Sequence, residues 1–212
     1  MHTRYSYDSL MDPQKLIDRC IEVGLNCIAV TDHNSLAGAW AVQKIAPFRV
    51  ILGEEIKTSA GEIIGLFITE EIPSGLTPEE TIRRIKDQGG IVSLPHPFDR
   101  MGRSPLDSNY IRDLLPYIDI IEGFNARTIL QRDNNHARDF AAEKDLLVTS
   151  VSDAHTLGEL GRSYTEIPDF DGTARGFIEA LTEANLIKRP SSPLVHLFST
   201  LNKFRSRKRP EG

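Results

Sequence analysis

Five short apolar runs in this sequence are each followed at once by residues able to bind a cation. "IAV" leads into Thr31, Asp32 and His33. "RVILG" leads into Glu54 and Glu55, "IVSLP" into His96, and "IDIIEGF" into Asn125. "LLVTSVS" leads into Asp153 and His155. The opening stretch "MHTRYSYDS" adds His2 and Asp8 within a few residues of the first position. A single histidine after a strand is ordinary hydrogen-bonded structure. The same residue types delivered by separate runs to one rim are harder to explain by packing, because acids and imidazoles gathered without a cation lose solvation and stay partly unpaired. Mixed imidazole and carboxylate donors suit zinc, manganese and iron without selecting sharply among them. A carboxylate shared between two or three ions would hold them a few ångströms apart. In "SDAH", residues i and i+2 of an extended strand point to the same side, so Asp153 and His155 are expected to reach one site together.

The elements that must position these residues alternate. "DPQKLIDRCIEVG" predicts a helix with Asp12 as N-cap, Pro13 at the first position and Gly24 as the stop. "NCIAVTDHN" predicts a buried strand, and "LAGAWAVQKIA" a helix ending at Pro47, with Trp40 expected in the core. "FRVILGEEI" and "EIIGLFI" predict strands joined by the "SAGE" turn. "TPEETIRRIKDQGG" places Thr77 and Glu80 at capping-box spacing. "GIVSLPHP", the end of "IRDLLPYIDIIEGFN", and "LLVTSVSDAH" predict further strands; "ARDFAAEKD" and "GTARGFIEALTEAN" predict helices. His136, on the face of Phe140, is assigned to packing. Apolar strands alternating with helices imply βαβ units and a mostly parallel sheet covered on both faces. Right-handed crossovers would bring the strands' C-terminal ends to one side, the side on which barrel enzymes keep their chemistry.

The chain has 212 residues, 40% hydrophobic and 26% charged, which fits one globular domain over 1–188. A basic tail, 189–212, follows it; the bland reading is a solvated end, the alternative a contact for a phosphate-rich partner. The net charge of −5 argues against wholesale coating of nucleic acid. Cys20 and Cys27 match no common metal spacing and are expected to be buried thiols. No apolar run is long enough to span a bilayer and no leader is legible, so a cytoplasmic chain without membrane contact is expected.

These segments resemble the polymerase and histidinol phosphatase (PHP) phosphoesterases. "MHTRYSYD" is similar to the second half of that family's first motif, with His2 and Asp8 as ligands. "VTDHNSLAG" resembles the second motif, with His33 as a ligand and Asp32 orienting an imidazole behind it. "ILGEEI" matches the segment that supplies a bridging glutamate, favouring Glu55; "SLPHP" supplies His96, and "SDAHTLGELG" gives Asp153 and His155 as ligands that also move protons. The resemblance runs from His2 to about Ile167. It places a further histidine one residue ahead of Met1, so the first strand is expected to be truncated. In "IIEGFNARTI" many members carry a His or Cys ligand; here Asn125, or else Glu122, would serve.

The resemblance implies an α/β fold, a distorted (β/α)7 TIM-like barrel, holding two or three divalent ions (Zn, Mn or Fe). It implies hydrolysis of phosphate esters, with water driven from a pKa of about 16 towards about 7 by coordination. No serine elbow is present to supply another nucleophile. Arginines just beyond the ligand segments, Arg4, Arg100, Arg103 and Arg127, are candidates for holding the substrate phosphate, Arg100 and Arg127 foremost. A small phosphorylated metabolite or nucleotide is the expected substrate. An exonuclease acting on RNA or DNA ends is the second reading, and a non-catalytic metal-binding module the third. Few aromatic rings are available as stacking platforms, which favours the small substrate.

Overall fold

The structure, a computed structural model, describes residues 1–101, 104–192 and 194–195. Helix α1 spans Pro13–Glu22 and starts as the sequence dictates: Asp12 accepts from the backbone N–H groups of Gln14 and Lys15, and Pro13 fills the first turn. Strand β1 (Cys27–His33), helix α2 (Ala37–Gln43) and strand β2 (Arg49–Thr58) complete a parallel unit in which His33 lies opposite Glu55. Strand β3 (Gly61–Leu66) turns back on β2 as a hairpin. Helix α3 (Pro78–Asp87), strand β4 (Ile91–Leu94), helix α4 (Ser108–Leu114) and strand β5 (Ile120–Asn125) come next. Helix α5 (Gln131–Glu143), strand β6 (Leu147–Val151), strand β7 (Tyr164–Glu166), helix α6 (Ala174–Leu181) and strand β8 (Asn185–Ile187) close the described chain.

The main sheet runs β1-β2-β3-β4-β5-β6, and β7 and β8 form a separate antiparallel pair. This curled half-barrel is mostly parallel as expected: β1, β2, β4, β5 and β6 run in one direction and β3 opposes them. The short "SAGE" turn leaves no room for a crossover, so β3 runs antiparallel to both β2 and β4. One face of the sheet, with Val30, Ile56, Ile63, Leu94 and Ile121, packs on the helices. The other carries Ile51, Ile64, Leu66 and Ile120 and is closed by Phe177 and Leu181 around α6. A cavity of about 480 Å³ lies along this second face, reaching from the bottom of β1 to Asp153.

Met1–Thr3 holds the place of a strand end between β1 and the segment after β6. The Met1 carbonyl accepts from Thr31 N–H at 3.0 Å, its amino group reaches the Ala29 carbonyl at 3.3 Å, and His2 N–H donates to the Ala154 carbonyl at 2.9 Å. Asp32 pins this stretch from inside, accepting Thr3 N–H at 2.5 Å and Thr3 Oγ1 at 2.6 Å. Its partner is therefore Thr3, not the imidazole expected.

Other departures have local causes. Glu80 does not return to its helix cap; its carboxylate is held by Arg83 and Arg84 one turn on. Trp40 is 44% exposed, because Leu36, Ala39 and Val42 already fill the inner side of α2. Cys20 is buried but Cys27 only partly so. His136 packs as expected, stacked on Phe98 at 3.9 Å. The start of the tail is docked, with Ser191 N–H on the Ala126 carbonyl. From 196 onward the expected basic tail, with His196, lies outside the described residues. No helix among the described residues is long and apolar enough to cross a membrane.

Gly38 is where this arrangement tolerates least. A Cβ there would sit 1.8 Å from Asp32 Oδ2 and 2.3 Å from Thr3 Oγ1. Gly38→Ala is expected to destabilise the chain by about 1–3 kcal/mol through overpacking, read as a lowered Tm. An unchanged Tm would mean that Asp32 does not clamp Thr3.

Candidate metal centre

The donors meet at the rim where β1, β2, β4, β5 and β6 end. His2 Nε2 lies 3.2 Å from Glu55 Oε2 and 3.1 Å from Asp153 Oδ1. Asp8 Oδ2 lies 3.1 Å from His155 Nε2 and 3.4 Å from His33 Nε2. His96 Nε2 lies 3.1 Å from Glu55 Oε1. The two oxygens of Glu55 thus face different imidazoles, the placement a bridging carboxylate needs. Three sets of donor atoms each converge within 4.8 Å: His2 with Asp8, His33 and His155; His2 with Glu55 and Asp153; and His33 with Glu55 and Glu62. All of these side chains are buried except that of His33, which is partly so.

Glu62 was not legible as a site residue. It opens β3 rather than ending a parallel strand, and only the hairpin brings it to the rim, opposite Lys57 and 3.7 Å from His96 Nε2. The one available signal was a carboxylate placed directly after the "SAG" of the turn. Glu122, the sequence's alternative to Asn125, accepts His96 N–H at 2.8 Å and Asn125 Nδ2 at 2.9 Å. Asn125 differs from the expectation of a ligand. Its Nδ2 also reaches Asp153 Oδ2 at 3.2 Å and its Oδ1 accepts Arg127 N–H, so its carboxamide braces the two carboxylates beside it.

Asp153 and His155 do reach one site, but not along a strand. β6 stops at Val151, and Asp153 takes φ +47°. His96 is also left-handed, at φ +28°. Such conformations persist where the surroundings over-determine them. The ring of His155 is oriented by contact of Nδ1 with the Asp153 carbonyl at 2.8 Å, which leaves Nε2 for the centre.

The arginines described are engaged with acidic partners of their own. Arg4 pairs with Asp12, and Arg100, with a side chain 61% exposed, pairs with Asp133. Arg127 is buried against Glu159. Arg103 lies outside the described residues.

Burial disfavours charge here, and the groups respond in opposite directions. Despite burial, hydrogen bonds that the ring donates to Asp153 and Glu55 push His2 up to about 10. Burial and the charge on His2 hold His155 down at about 4. Glu62 is raised by burial and by Glu55, and Glu122 by burial. Against their burial, Asp8 is held well below the usual range by His155, and Glu55 by His33 and by hydrogen bonds from His2 and His96. The acids around His2 thus favour positive charge at its position. The donor set therefore fits divalent cations, which would replace a proton there.

Residues 131–186 match the family described as PHP-associated. The chain is 32% identical over 197 residues to the uncharacterized protein MJ0417 of Methanocaldococcus jannaschii, covering 91% of this chain and 79% of that protein. Its fold is similar to a two-domain protein from Bacteroides vulgatus containing a predicted PHP-like metal-dependent phosphoesterase. The TM-score is 0.72 at 19% identity, over 89% of this chain and 63% of that one. It is also similar to a lesion-specific endonuclease from Pyrococcus furiosus, with a TM-score of 0.61 at 17% identity, over 91% of this chain and 58% of that one. With these segments in order on this fold, the chain belongs to the PHP domain family.

The sign of the pH response follows from His2. Its proton stabilises the ion-free fold below the ordinary value of 6.5, and that contribution is lost as pH rises towards about 10. An ion must displace the same proton, so affinity for Mn²⁺ is expected to strengthen between pH 6 and pH 9 (about the range of ordinary buffers) with roughly one proton released per chain. Titration calorimetry in two buffers of different ionisation heat measures this; identical heats in both would contradict it.

Proposed function

We propose that the protein is a metal-dependent phosphoesterase acting on a small phosphorylated metabolite or nucleotide. The observation that carries this reading is Glu55, whose two oxygens stand at 3.2 Å from His2 and 3.1 Å from His96 between separate donor sets. His2, Asp8, His33, Glu55, His96, Asp153 and His155 would hold the ions, joined by Glu62. Bound divalent ions supply Lewis acidity that makes water nucleophilic at neutral pH and offsets charge on phosphoryl oxygens. Zinc, manganese and iron all suit these donors. Asp153, whose Oδ1 lies 3.1 Å from His2 Nε2, would take a proton released at the centre. His155, neutral near pH 7, keeps Nε2 available as a donor atom. Asp32 acts through Thr3, holding the backbone that carries His2. The seven-stranded barrel belongs to the same proposal. A cytoplasmic setting is likewise a proposal.

A second reading, cleavage of nucleic acid, is favoured by one observation. Tyr5 and Tyr7 are 45% and 44% exposed, and the Tyr7 ring stacks on His33 at 4.8 Å, so an aromatic surface lies beside the centre after all. The similarity to a lesion-specific endonuclease accords with it.

Hydrolysis of p-nitrophenyl phosphate with added manganese tests the activity. Glu55→Gln is expected to lower kcat/KM by about a hundredfold or more and to reduce bound metal. Wild-type protein that is metal-loaded yet inactive on phosphate esters would overturn the proposal. Competition by sugar phosphates against short oligonucleotides then separates the two substrate classes.

A further inference from the structure

One buried ion pair at this rim is not among the donors. Arg127 follows β5 by two residues, and Glu159 ends the short turn Leu157–Glu159. Their side chains are each 2% exposed, and Arg127 Nη1 donates to Glu159 Oε1 at 2.8 Å. Charges so deep persist only where their remaining hydrogen-bonding capacity is used. Glu159 Oε2 accepts from His155 N–H at 3.0 Å, Thr156 N–H at 2.9 Å and Thr156 Oγ1 at 2.9 Å. On the other side, Arg127 N–H donates to Asn125 Oδ1 at 2.9 Å, and Asn125 Nδ2 donates to Asp153 Oδ2 at 3.2 Å. The two residues thus hold the Asp153–His155 segment from both ends, Glu159 by one hydrogen bond to His155 and Arg127 by two, from its backbone N–H through Asn125 to Asp153. That is the segment in which Asp153 is left-handed and no strand ladder fixes the backbone.

We propose that Arg127 and Glu159 form a positioning device that holds Asp153 and His155 in the geometry needed to bind the ions, and that Arg127 is not the substrate's phosphate anchor. A phosphate taking the Arg127 guanidinium would have to displace Glu159, which would release the backbone of His155 from its acceptor. The device works through the donors: with Glu159 in place, the His155 ring meets Asp8 Oδ2 at 3.1 Å and Asp153 Oδ1 meets His2 Nε2 at 3.1 Å. The proposal rests on the metal-dependent reading above.

The test measures Mn²⁺ affinity by chelator competition, alongside KM and kcat for p-nitrophenyl phosphate at saturating metal, in Arg127→Met, Glu159→Gln and the double variant. Each single change is expected to weaken metal affinity about ten- to a hundredfold, with KM at saturating metal within about twofold of wild type. The double variant is expected to lose less than the product of the two single losses, because neither charge is then left buried alone. Arg127→Lys, which keeps the charge, is expected to restore part of the affinity. Glu159→Gln preserves shape and carries the test should Arg127→Met not fold. A raised KM in Arg127→Met with metal affinity intact, beside a silent Glu159→Gln, would make Arg127 a phosphate anchor and overturn the proposal. Unchanged affinity in both variants refutes the proposal alone. A wild-type chain that takes up no divalent ion refutes the centre itself.

Discussion

The rim of this half-barrel confines Asp8, Glu55, Glu62 and Asp153 with four imidazoles in a volume largely closed to water. Desolvated carboxylates at such spacing repel one another, and neither burial nor hydrogen bonding among them removes that cost. Positive charge must be shared between them. The two neighbouring rings are pushed apart: hydrogen bonding to Asp153 and Glu55 favours the charged form of His2, while burial and the charge on His2 favour the neutral form of His155. The arrangement asks for cations more directly than any single residue in it does. Much of the surrounding structure can be understood as what it takes to hold the donors together against their repulsion.

That holding is done with few elements. The parallel pair β1 and β2 sets His33 opposite Glu55, so two donors follow from one register. The hairpin to β3 returns a third carboxylate to the rim from the opposite chain direction. Asp32 draws Thr3, and with it His2, onto the end of β1, and Gly38 leaves room for that contact. Where strands run out, at His96 and Asp153, left-handed backbone conformations aim the side chains. Side-chain acceptors, Glu122 for His96 and Glu159 for His155, take the N–H groups that a ladder would have used.

The same features narrow what the centre can do. Its donors are hard or borderline, and its buried acids are arranged around a shared glutamate. Activation of water and neutralisation of phosphoryl charge suit such donors. Beside the donors stands the half-exposed ring of Tyr7, stacked on His33.

Taken alone, the sequence made legible the alternation of elements, the N-cap of α1, and the imidazoles and carboxylates set just after apolar runs, from which the family resemblance drew the proposed ligands. Those are local facts: hydrophobic period, turn residues and a polar residue after an apolar run. It did not disclose Glu62, because strand direction is a property of the hairpin and not of the residue. Nor did it separate Arg127 from a surface arginine, or Asn125 from a ligand, since their partners Glu159, Glu122 and Asp153 are distant in sequence or turned by a bulge. Tertiary structure alone decided which side chains share the rim and which brace it. Distance between atoms on different strands depends on register, chain direction and a few left-handed residues, and none of these is written in the composition of any one segment.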